Sequence, residues 1–321
     1  MPTVYFHSGA PKTGTSYLQV LFARHSEAMT QQGVIYPENI FVHGAKEGKI
    51  TSGNGVELAN YINPNLPHNI EDKSAFLGKL DHLLKKSNGN NFLFSSEFIV
   101  FHDNDRTNSL MECLKTNGYE SKSIYLVRDL SRAAFSTYSQ QVKRAGEART
   151  FEEFLATWDP HYMHHVNLMN SAFGHENVFI YNYEEHKHRL AALFFEDFMN
   201  IKIDASIDET INRSLDKKEL DLLRAFNSFS GENNAFLSTL ISDALMIAPS
   251  ASKDKFLLSQ KEFSIINKKF EGAIEKINKQ LRGKEIFVAE EVGEFERNSD
   301  LTDFERFTMA ALAQISKSIR R

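Results

Sequence analysis

Four short apolar segments, each long enough for one β-strand, alternate with helical patterns in the first 200 residues of this 321-residue chain. They cover residues 4–7, 91–96, 123–127 and 177–181 and are rich in β-branched or aromatic residues. Strands that alternate with helices return to the sheet through helical crossovers, which makes neighbouring strands parallel. Because such a sheet is buried on both faces, the alternation predicts an α/β fold whose central parallel sheet is covered by helices on both sides.

Helical patterns fill the intervals between these segments. Apolar spacing predicts helices at residues 17–30, 73–86, 105–116 and 132–144. Two capping boxes and one Asp-Pro helix start with a glycine stop mark further helix ends. These signals lie at Thr150 with Glu153, at Thr302 with Glu305, and at Asp159-Pro160 with Gly174.

The strand signal fades beyond residue 200, where amphipathic patterns at residues 215–226, 260–281 and 302–319 predict helices. No flexible linker separates the two parts of the chain. We therefore expect an α/β core over residues 1–200 and a helical C-terminal region over residues 201–321 that packs on this core.

Charge and composition narrow the functional classes. Lys and Arg number 37 against 42 Asp and Glu, and this net charge of −5 argues against a globally basic nucleic-acid binder. The single cysteine excludes an intramolecular disulfide framework and a cysteine-rich zinc site. No apolar run is long enough for a membrane span and no targeting segment is recognisable, so we expect a cytoplasmic protein. The 26 phenylalanines favour an aromatic-rich core.

The first strand runs into a segment, residues 7–16, that reads His-Ser-Gly-Ala-Pro-Lys-Thr-Gly-Thr-Ser and then opens a helix. Gly9 and Gly14 have the glycine spacing of a phosphate-binding P-loop. Such a loop turns backbone N–H groups toward one point, and the helix start behind it adds partial positive charge. The segment therefore predicts an anion cradle, to which Thr15 and Ser16 add hydroxyl donors. The alternative is an ordinary helix-start loop with turn glycines.

The lysine of this loop departs from the pattern of nucleotide triphosphatases. Those enzymes have Lys directly after the second glycine, whereas here that place holds Thr15 and the lysine is Lys12, inside the loop. The strand at residues 123–127 is followed by Arg128 rather than by an Asp suited to hold magnesium. Both features disfavour magnesium-dependent ATP hydrolysis.

The loop resembles that of the sulfotransferases that use 3′-phosphoadenosine 5′-phosphosulfate (PAPS). Their 5′-phosphosulfate loop reads Pro-Lys-x-Gly-Thr-[Ser/Thr], which Pro11, Lys12, Thr13, Gly14, Thr15 and Ser16 match position by position. The resemblance implies a P-loop-type three-layer fold and a PAPS site formed by these residues. It also implies that Lys12 contacts the oxygen between phosphate and sulfate and stabilises the leaving group.

A second motif follows the strand at residues 123–127. Arg128 lies at the strand's end, where open α/β sheets place their ligands, and Ser136 lies about two helical turns further on. A guanidinium and a hydroxyl that converge there could hold a second phosphate. The spacing of Arg128, Ser136 and Tyr138 resembles the 3′-phosphate motif of the same family, although Leu130 stands where the family often has Pro. A solvated or salt-bridged arginine is the alternative.

Transfer to an alcohol needs a base for the acceptor proton. Glu97 directly follows the strand at residues 91–96 and therefore faces the same edge of the sheet as the loop. Many carbohydrate-acting and bacterial members of the family are similar, which implies that Glu97 is the base. His102 is the nearest alternative candidate, and Glu97 could instead cap or salt-bridge a nearby helix.

The resemblance covers residues 3–200 and implies transfer of a sulfuryl group from PAPS to an acceptor hydroxyl, with a carbohydrate favoured over another small molecule. No metal is expected, although His161, His164 and His165 lie close in sequence. No nucleic acid or membrane partner is expected, and the oligomeric state is not predicted. A P-loop nucleotide kinase and a non-catalytic nucleotide-binding module remain as alternatives. The acceptor and the residues that recognise adenine are not assigned.

Overall fold

The structure is a computed structural model of the chain. It describes residues 1–10, 12–49, 51–102, 104–205, 215–230, 235–247 and 258–286, together with the single residues 302, 305, 308, 309 and 312.

The centre of the fold is a five-stranded sheet in the order β2-β3-β1-β4-β5, and every neighbouring pair is parallel. The strands are β1 (Thr3–Ser8), β2 (Val34–Ile35), β3 (Asn91–Ser96), β4 (Glu120–Val127) and β5 (Val178–Asn182). All four predicted strands are confirmed. Strand β2 was not predicted, because two residues at the edge of a sheet are too few to show a strand pattern in the sequence.

Helices lie on both sides of this sheet, which confirms the predicted P-loop-type three-layer α/β fold. The α-helices are α1 (Thr15–Arg24), α2 (Ser26–Gln31), α3 (Ile40–Lys46), α4 (Val56–Ile62), α5 (Lys73–Lys86), α6 (Asp105–Thr116), α7 (Leu130–Arg144), α8 (Phe151–Thr157), α9 (Tyr162–Phe173), α10 (Tyr183–His186), α11 (Leu190–Ala192), α12 (Lys217–Ser230), α13 (Ala235–Ile247) and α14 (Gln260–Asn278). A 3₁₀ turn covers His175–Asn177 and a π-helix covers Leu193–Phe198. Within the described residues no helix is both long and apolar enough to cross a membrane.

Aromatic side chains pack on both faces of β1. On one face the ring of Phe6 lies 5.3 Å from that of Phe101 and 5.4 Å from that of Phe173, between ring centroids. On the other face the His7 ring lies 4.8 Å from that of Phe194. The imidazole of His7 is buried, which lowers its pKa to about 3, so it is a neutral core residue that shares a 2.8 Å hydrogen bond with Ser95. This packing agrees with the aromatic-rich core expected from the composition.

The helix ends show where local signals decide the structure. The capping box of Thr150 and Glu153 forms as predicted, and Glu305 likewise accepts hydrogen bonds from Thr302. The predicted start at Asp159-Pro160 is wrong, because α9 begins at Tyr162 after a left-handed His161 (φ 54°). Tyr162 is buried and its hydroxyl accepts the Arg128 N–H at 3.3 Å, so a contact with a distant part of the chain sets this helix start. Most of the helix predicted for residues 302–319 lies outside the described residues.

The chain divides into two compact units that alternate along the sequence. The first unit contains residues 1–128, 161–208 and 272–286, and so includes the whole sheet. The second contains residues 129–160, 209–271 and 287–321. Within the second unit, the buried amide of Asn227 donates to the carbonyl oxygens of Val142 at 2.9 Å and Glu147 at 3.0 Å, which fastens α12 to α7 and the turn after it. The predicted division at residue 200 stays a prediction.

Candidate functional site

The strand registers bring four chain segments to one edge of the sheet. Ser8 pairs with Ser96, and Val127 pairs with Asn182. Because all strands are parallel, the residues that follow β1, β3, β4 and β5 emerge at the carboxyl edge, where open α/β folds bind ligands. These residues belong to the loop at residues 9–14, Glu97, Arg128 and Tyr183.

Gly9, the first glycine after β1, lies close to both the end of β3 and the start of α1 because it has no side chain. The Gly9 N–H donates to the Ser96 carbonyl at 3.4 Å, which ties the loop to the end of β3. A Cβ at Gly9 would lie 2.4 Å from the Thr15 hydroxyl oxygen. Only glycine therefore lets the loop fold back on the first turn of α1.

Two left-handed residues curl the loop. Lys12 has φ 67° and Gly14 has φ 79°, and the Thr13 hydroxyl donates to the Ala10 carbonyl at 2.7 Å. Left-handed backbone costs a non-glycine residue about 1–2 kcal/mol. Such strain at Lys12 is typical of functional sites, and backbone that turns successive N–H groups inward forms an anion-binding concavity.

Thr15 and Ser16 begin α1 directly behind this loop. The Thr15 hydroxyl is buried and has no hydrogen-bond partner among the described residues. A buried polar group of this kind costs stability unless a ligand or water satisfies it. Together with the partial positive charge at the helix start, it fits a bound anion.

The second glycine of the loop packs against the chain that follows β5. A Cβ at Gly14 would lie 2.8 Å from Leu190 and 3.3 Å from the Tyr183 ring. Gly14 therefore needs its missing side chain for two reasons, namely its left-handed backbone and this close approach.

Arg128 lies beside the loop. Its Nη1 donates to the Lys12 carbonyl at 3.1 Å, and its Nε donates to Glu184 at 2.8 Å. Its guanidinium also lies 5.2 Å from the centre of the Tyr183 ring. The side chain of Glu184 is only 15% exposed and also contacts Lys187 at 3.1 Å. Arg128 therefore lies next to Lys12 and forms an ion pair with the carboxylate of Glu184.

Glu97 lies in the turn after β3 and is exposed to solvent. Protein atoms crowd its carboxyl enough that desolvation raises its pKa, while the positive charge of Lys12 lowers it in part. A carboxylate with a raised pKa is a stronger base than an ordinary glutamate, which suits proton abstraction.

His102 is the weaker candidate for the base. Burial lowers the pKa of its imidazole, with a smaller effect from the charge of His164. Its Nε2 atom is buried without a hydrogen-bond partner among the described residues.

His165, one of the three histidines that lie close in sequence, shares a 3.0 Å hydrogen bond with the buried Tyr125 hydroxyl. In the described part of the chain, no group of three or more His, Cys, Asp or Glu side chains could hold a metal ion.

Ser136 and Tyr138 lie on α7, in the second unit. Asp129 caps this helix by accepting the N–H groups of Ser131 at 3.0 Å and Arg132 at 3.2 Å. Tyr138 is buried, and its hydroxyl donates to the Arg149 carbonyl at 2.8 Å, so it supports the packing of this unit. The phosphate-binding role of Ser136 stays a prediction.

Two contacts that shape the site were not predicted from the sequence. Leu190 closes against Gly14 without any local pattern that indicates it. Glu184 pairs with Arg128 across 56 residues of sequence. The opposite charges at the ends of two strands were the available signal for this pair, but only the pairing of β4 with β5 makes them neighbours.

No family model matches this chain, and no curated protein does. Among solved structures, a sulfotransferase from Alicyclobacillus acidocaldarius is similar with 16% identity and a TM-score of 0.40, over 78% of this chain and 97% of that chain. The sulfotransferase domain from the curacin biosynthetic pathway is similar with 14% identity and a TM-score of 0.37, over 84% and 97%. Retinol dehydratase, in complex with androsterone and inactive cofactor PAP, is similar with 16% identity and a TM-score of 0.30, over 98% and 80%.

Proposed function

We propose that this protein is a sulfotransferase that moves a sulfuryl group from PAPS to an acceptor hydroxyl. One observation carries the proposal. Lys12, Glu97 and Arg128 lie at the same edge of the sheet, where the Arg128 guanidinium donates to the Lys12 carbonyl at 3.1 Å and the charge of Lys12 acts on the Glu97 carboxylate. In the proposed reaction, these three side chains would supply the cation for the leaving group, the base and a second cation.

The residues of the loop fit the anionic end of such a donor. The unpartnered Thr15 hydroxyl and the N-terminus of α1 offer hydrogen-bond donors to a phosphosulfate, and Lys12 adds a full positive charge. Arg128, with Ser136 as the resemblance implies, would hold the separate 3′-phosphate. A ligand with a diphosphate-like end and a further phosphate matches PAPS better than ATP.

PAPS supplies the sulfuryl group and leaves as 3′-phosphoadenosine 5′-phosphate (PAP). Glu97 would take the proton of the acceptor hydroxyl while the new O–S bond forms. Lys12 would hold the negative charge that collects on the phosphate oxygen as the old S–O bond breaks and that oxygen keeps the electron pair. The products would be the sulfate ester of the acceptor, PAP and a protonated Glu97.

A carbohydrate hydroxyl is the acceptor that we favour, because the family members with a glutamate base include carbohydrate-acting enzymes. The first alternative is a P-loop nucleotide kinase, which would need ATP and magnesium. The second is a module that binds the nucleotide without catalysis. The position of Lys12 inside the loop, rather than after Gly14, favours the sulfotransferase over the kinase.

The test is transfer of radiolabelled sulfate from PAPS, in EDTA, to a panel of polysaccharides, monosaccharides and small alcohols. We expect labelled product with wild-type protein and about 10²–10³-fold less with Lys12→Ala. Phosphate transfer from labelled ATP with magnesium would establish the kinase instead. Binding of PAP without transfer to any acceptor in the panel would favour the non-catalytic module.

A further inference from the structure

We propose that a cavity beside β2 binds a small amphiphilic cation, that is, an apolar body that carries a protonated amine. The cavity measures about 690 Å³, within the range of small-molecule sites, and lies between α2, the segment that follows β2, and α5. The residues that line it include none of the loop at residues 9–14, Glu97 or Arg128. It therefore shares no lining residue with the site above, and the proposal does not depend on sulfuryl transfer.

The walls of the cavity are apolar and held in place. Tyr36 and Phe94 are buried, with only 3% and 7% of their surface exposed, and Phe76 also lines the cavity. The Phe76 ring stacks on the Tyr61 ring at 4.3 Å between centroids, which fixes its orientation. These rings offer an aromatic or aliphatic body the contacts that bury its surface.

The rim of the cavity is negative. It carries the carboxylates of Glu27, Glu38 and Glu57 against one ammonium, that of Lys79. Glu38 is already paired with Lys46 at 2.6 Å. Glu27 and Glu57 are exposed, and neither forms an ion pair within the described parts of the chain. An amine at this rim gains favourable electrostatics, whereas a carboxylate on the same body is repelled.

The polar side chains that line the cavity are already held in place by hydrogen bonds within the protein. The Asn54 side-chain amide forms two hydrogen bonds with the backbone of β3. Its Nδ2 donates to the Leu93 carbonyl at 2.8 Å, and its Oδ1 accepts the Ser95 N–H at 2.8 Å. The Asn54 carbonyl in turn accepts from Asn39 Nδ2 at 3.2 Å. A wall that is already ordered reduces the entropic cost of binding a ligand.

The experiment compares two probes with the same body, 4-phenylbutylamine and 4-phenylbutyrate, by NMR titration of the full chain. We expect the amine to bind and the carboxylate to bind at least about fivefold more weakly. Glu57→Gln should weaken amine binding by about two- to fivefold, and Lys79→Gln should strengthen it by a similar factor. Lys86→Gln, on the same helix but outside the cavity, is the matched control and should change nothing.

The variant Thr30→Trp provides a second, independent test of the cavity. Thr30 lines the cavity but is exposed, so a large side chain there blocks the cavity without entering the core. We expect this variant to lose amine binding and Lys12→Ala to keep it, which separates this site from the proposed donor site. Equal binding of both probes, no binding of the amine, or unchanged binding by Thr30→Trp would overturn the proposal.

Discussion

At the carboxyl edge of the sheet, Glu184 forms an ion pair with Arg128 whereas Glu97 only feels the charge of Lys12, and the two carboxylates differ in their exposure to solvent. Glu184 is 15% exposed and receives the Nε of Arg128 at 2.8 Å, so this pair is closed and largely shielded. Glu97 is exposed and interacts with Lys12 through its charge, with a pKa that desolvation raises. Arg128, held by Glu184, donates to the Lys12 carbonyl and so holds the backbone of the loop, whereas in the proposed function Lys12 and Glu97 would act on the reactants.

This difference in exposure distinguishes the residues that position the loop from those proposed to take part in the reaction. A shielded pair is costly to break because removal of one partner leaves the other charge poorly solvated. An exposed carboxylate with a raised pKa can exchange its proton without such a loss. In the proposed function, Lys12 and Glu97 would therefore carry the reaction, whereas Arg128, held by Glu184, would position the loop and bind the 3′-phosphate.

The largest expected effect comes from Glu97→Gln. Removal of the base should lower the turnover of sulfate transfer by about 10²–10⁴-fold. In the wild type, activity should fall as the pH falls through the pKa of Glu97, and this loss should begin at a higher pH than for an ordinary glutamate, because desolvation raises that pKa. The measurement is the pH profile of turnover.

The matched substitution for this test is Glu184→Gln, which changes the shielded carboxylate in the same way. It should keep the acid limb of the pH profile, whereas Glu97→Gln should abolish it. An acid limb that persists in Glu97→Gln would remove Glu97 from the role of base and would favour His102.

Lys12→Ala should have the next largest effect, a loss of about 10²–10³-fold in turnover, since it removes the charge that stabilises the leaving group. The same variant should move the acid limb to higher pH, because Lys12 lowers the pKa of Glu97 in the wild type. Lys73→Ala, at the start of α5, is the control. Normal turnover in Lys12→Ala would contradict the leaving-group role.

Arg128→Ala should chiefly weaken nucleotide binding. Loss of a charged hydrogen-bonding group corresponds to about 1.5–3 kcal/mol, or about 10–100-fold in the dissociation constant of PAP. Glu184→Gln should weaken PAP binding in the same direction but less, because Arg128 keeps its charge. Calorimetric titration of both variants with PAP measures the difference, and unchanged affinity in Arg128→Ala would assign this residue to the packing of the loop alone.

The last prediction concerns Gly14 and the stability of the fold rather than activity or binding. Gly14→Ala forces a side chain into left-handed backbone and against Leu190, and should lower the free energy of unfolding by about 2–4 kcal/mol. Gly118→Ala is the matched control, since Gly118 has a similar φ of 78° but open space where its Cβ would lie. It should lose only about 1–2 kcal/mol. Urea unfolding of the two variants isolates the packing of the loop, and equal losses would show that this contact adds nothing.

Much of the fold could be predicted because local signals decide it. The helices α5 and α6 match their predicted bounds, since Asp72 and Asn104 cap them through hydrogen bonds to backbone N–H groups within three residues. The strand β2 could not be predicted, because Val34 and Ile35 become a strand only by pairing with Asn91 and Phe92.

The same distinction applies to the site. The loop could be predicted because Gly9 and Gly14 lie on one short segment. Gly9 permits the close approach of Thr15, and Gly14 permits a left-handed backbone. The partnership of Arg128 with Glu184 and the contact of Leu190 with Gly14 depend on how distant segments meet. No pattern within either segment specifies them.

Calorimetric titration of the full chain with PAP, in EDTA and again with magnesium, tests the central claim most directly. The geometry of the loop predicts binding with the same dissociation constant in both buffers, and binding at least tenfold weaker in Lys12→Ala. Binding that requires magnesium, or equal affinity in Lys12→Ala and the wild type, would contradict a loop that holds the donor nucleotide through Lys12.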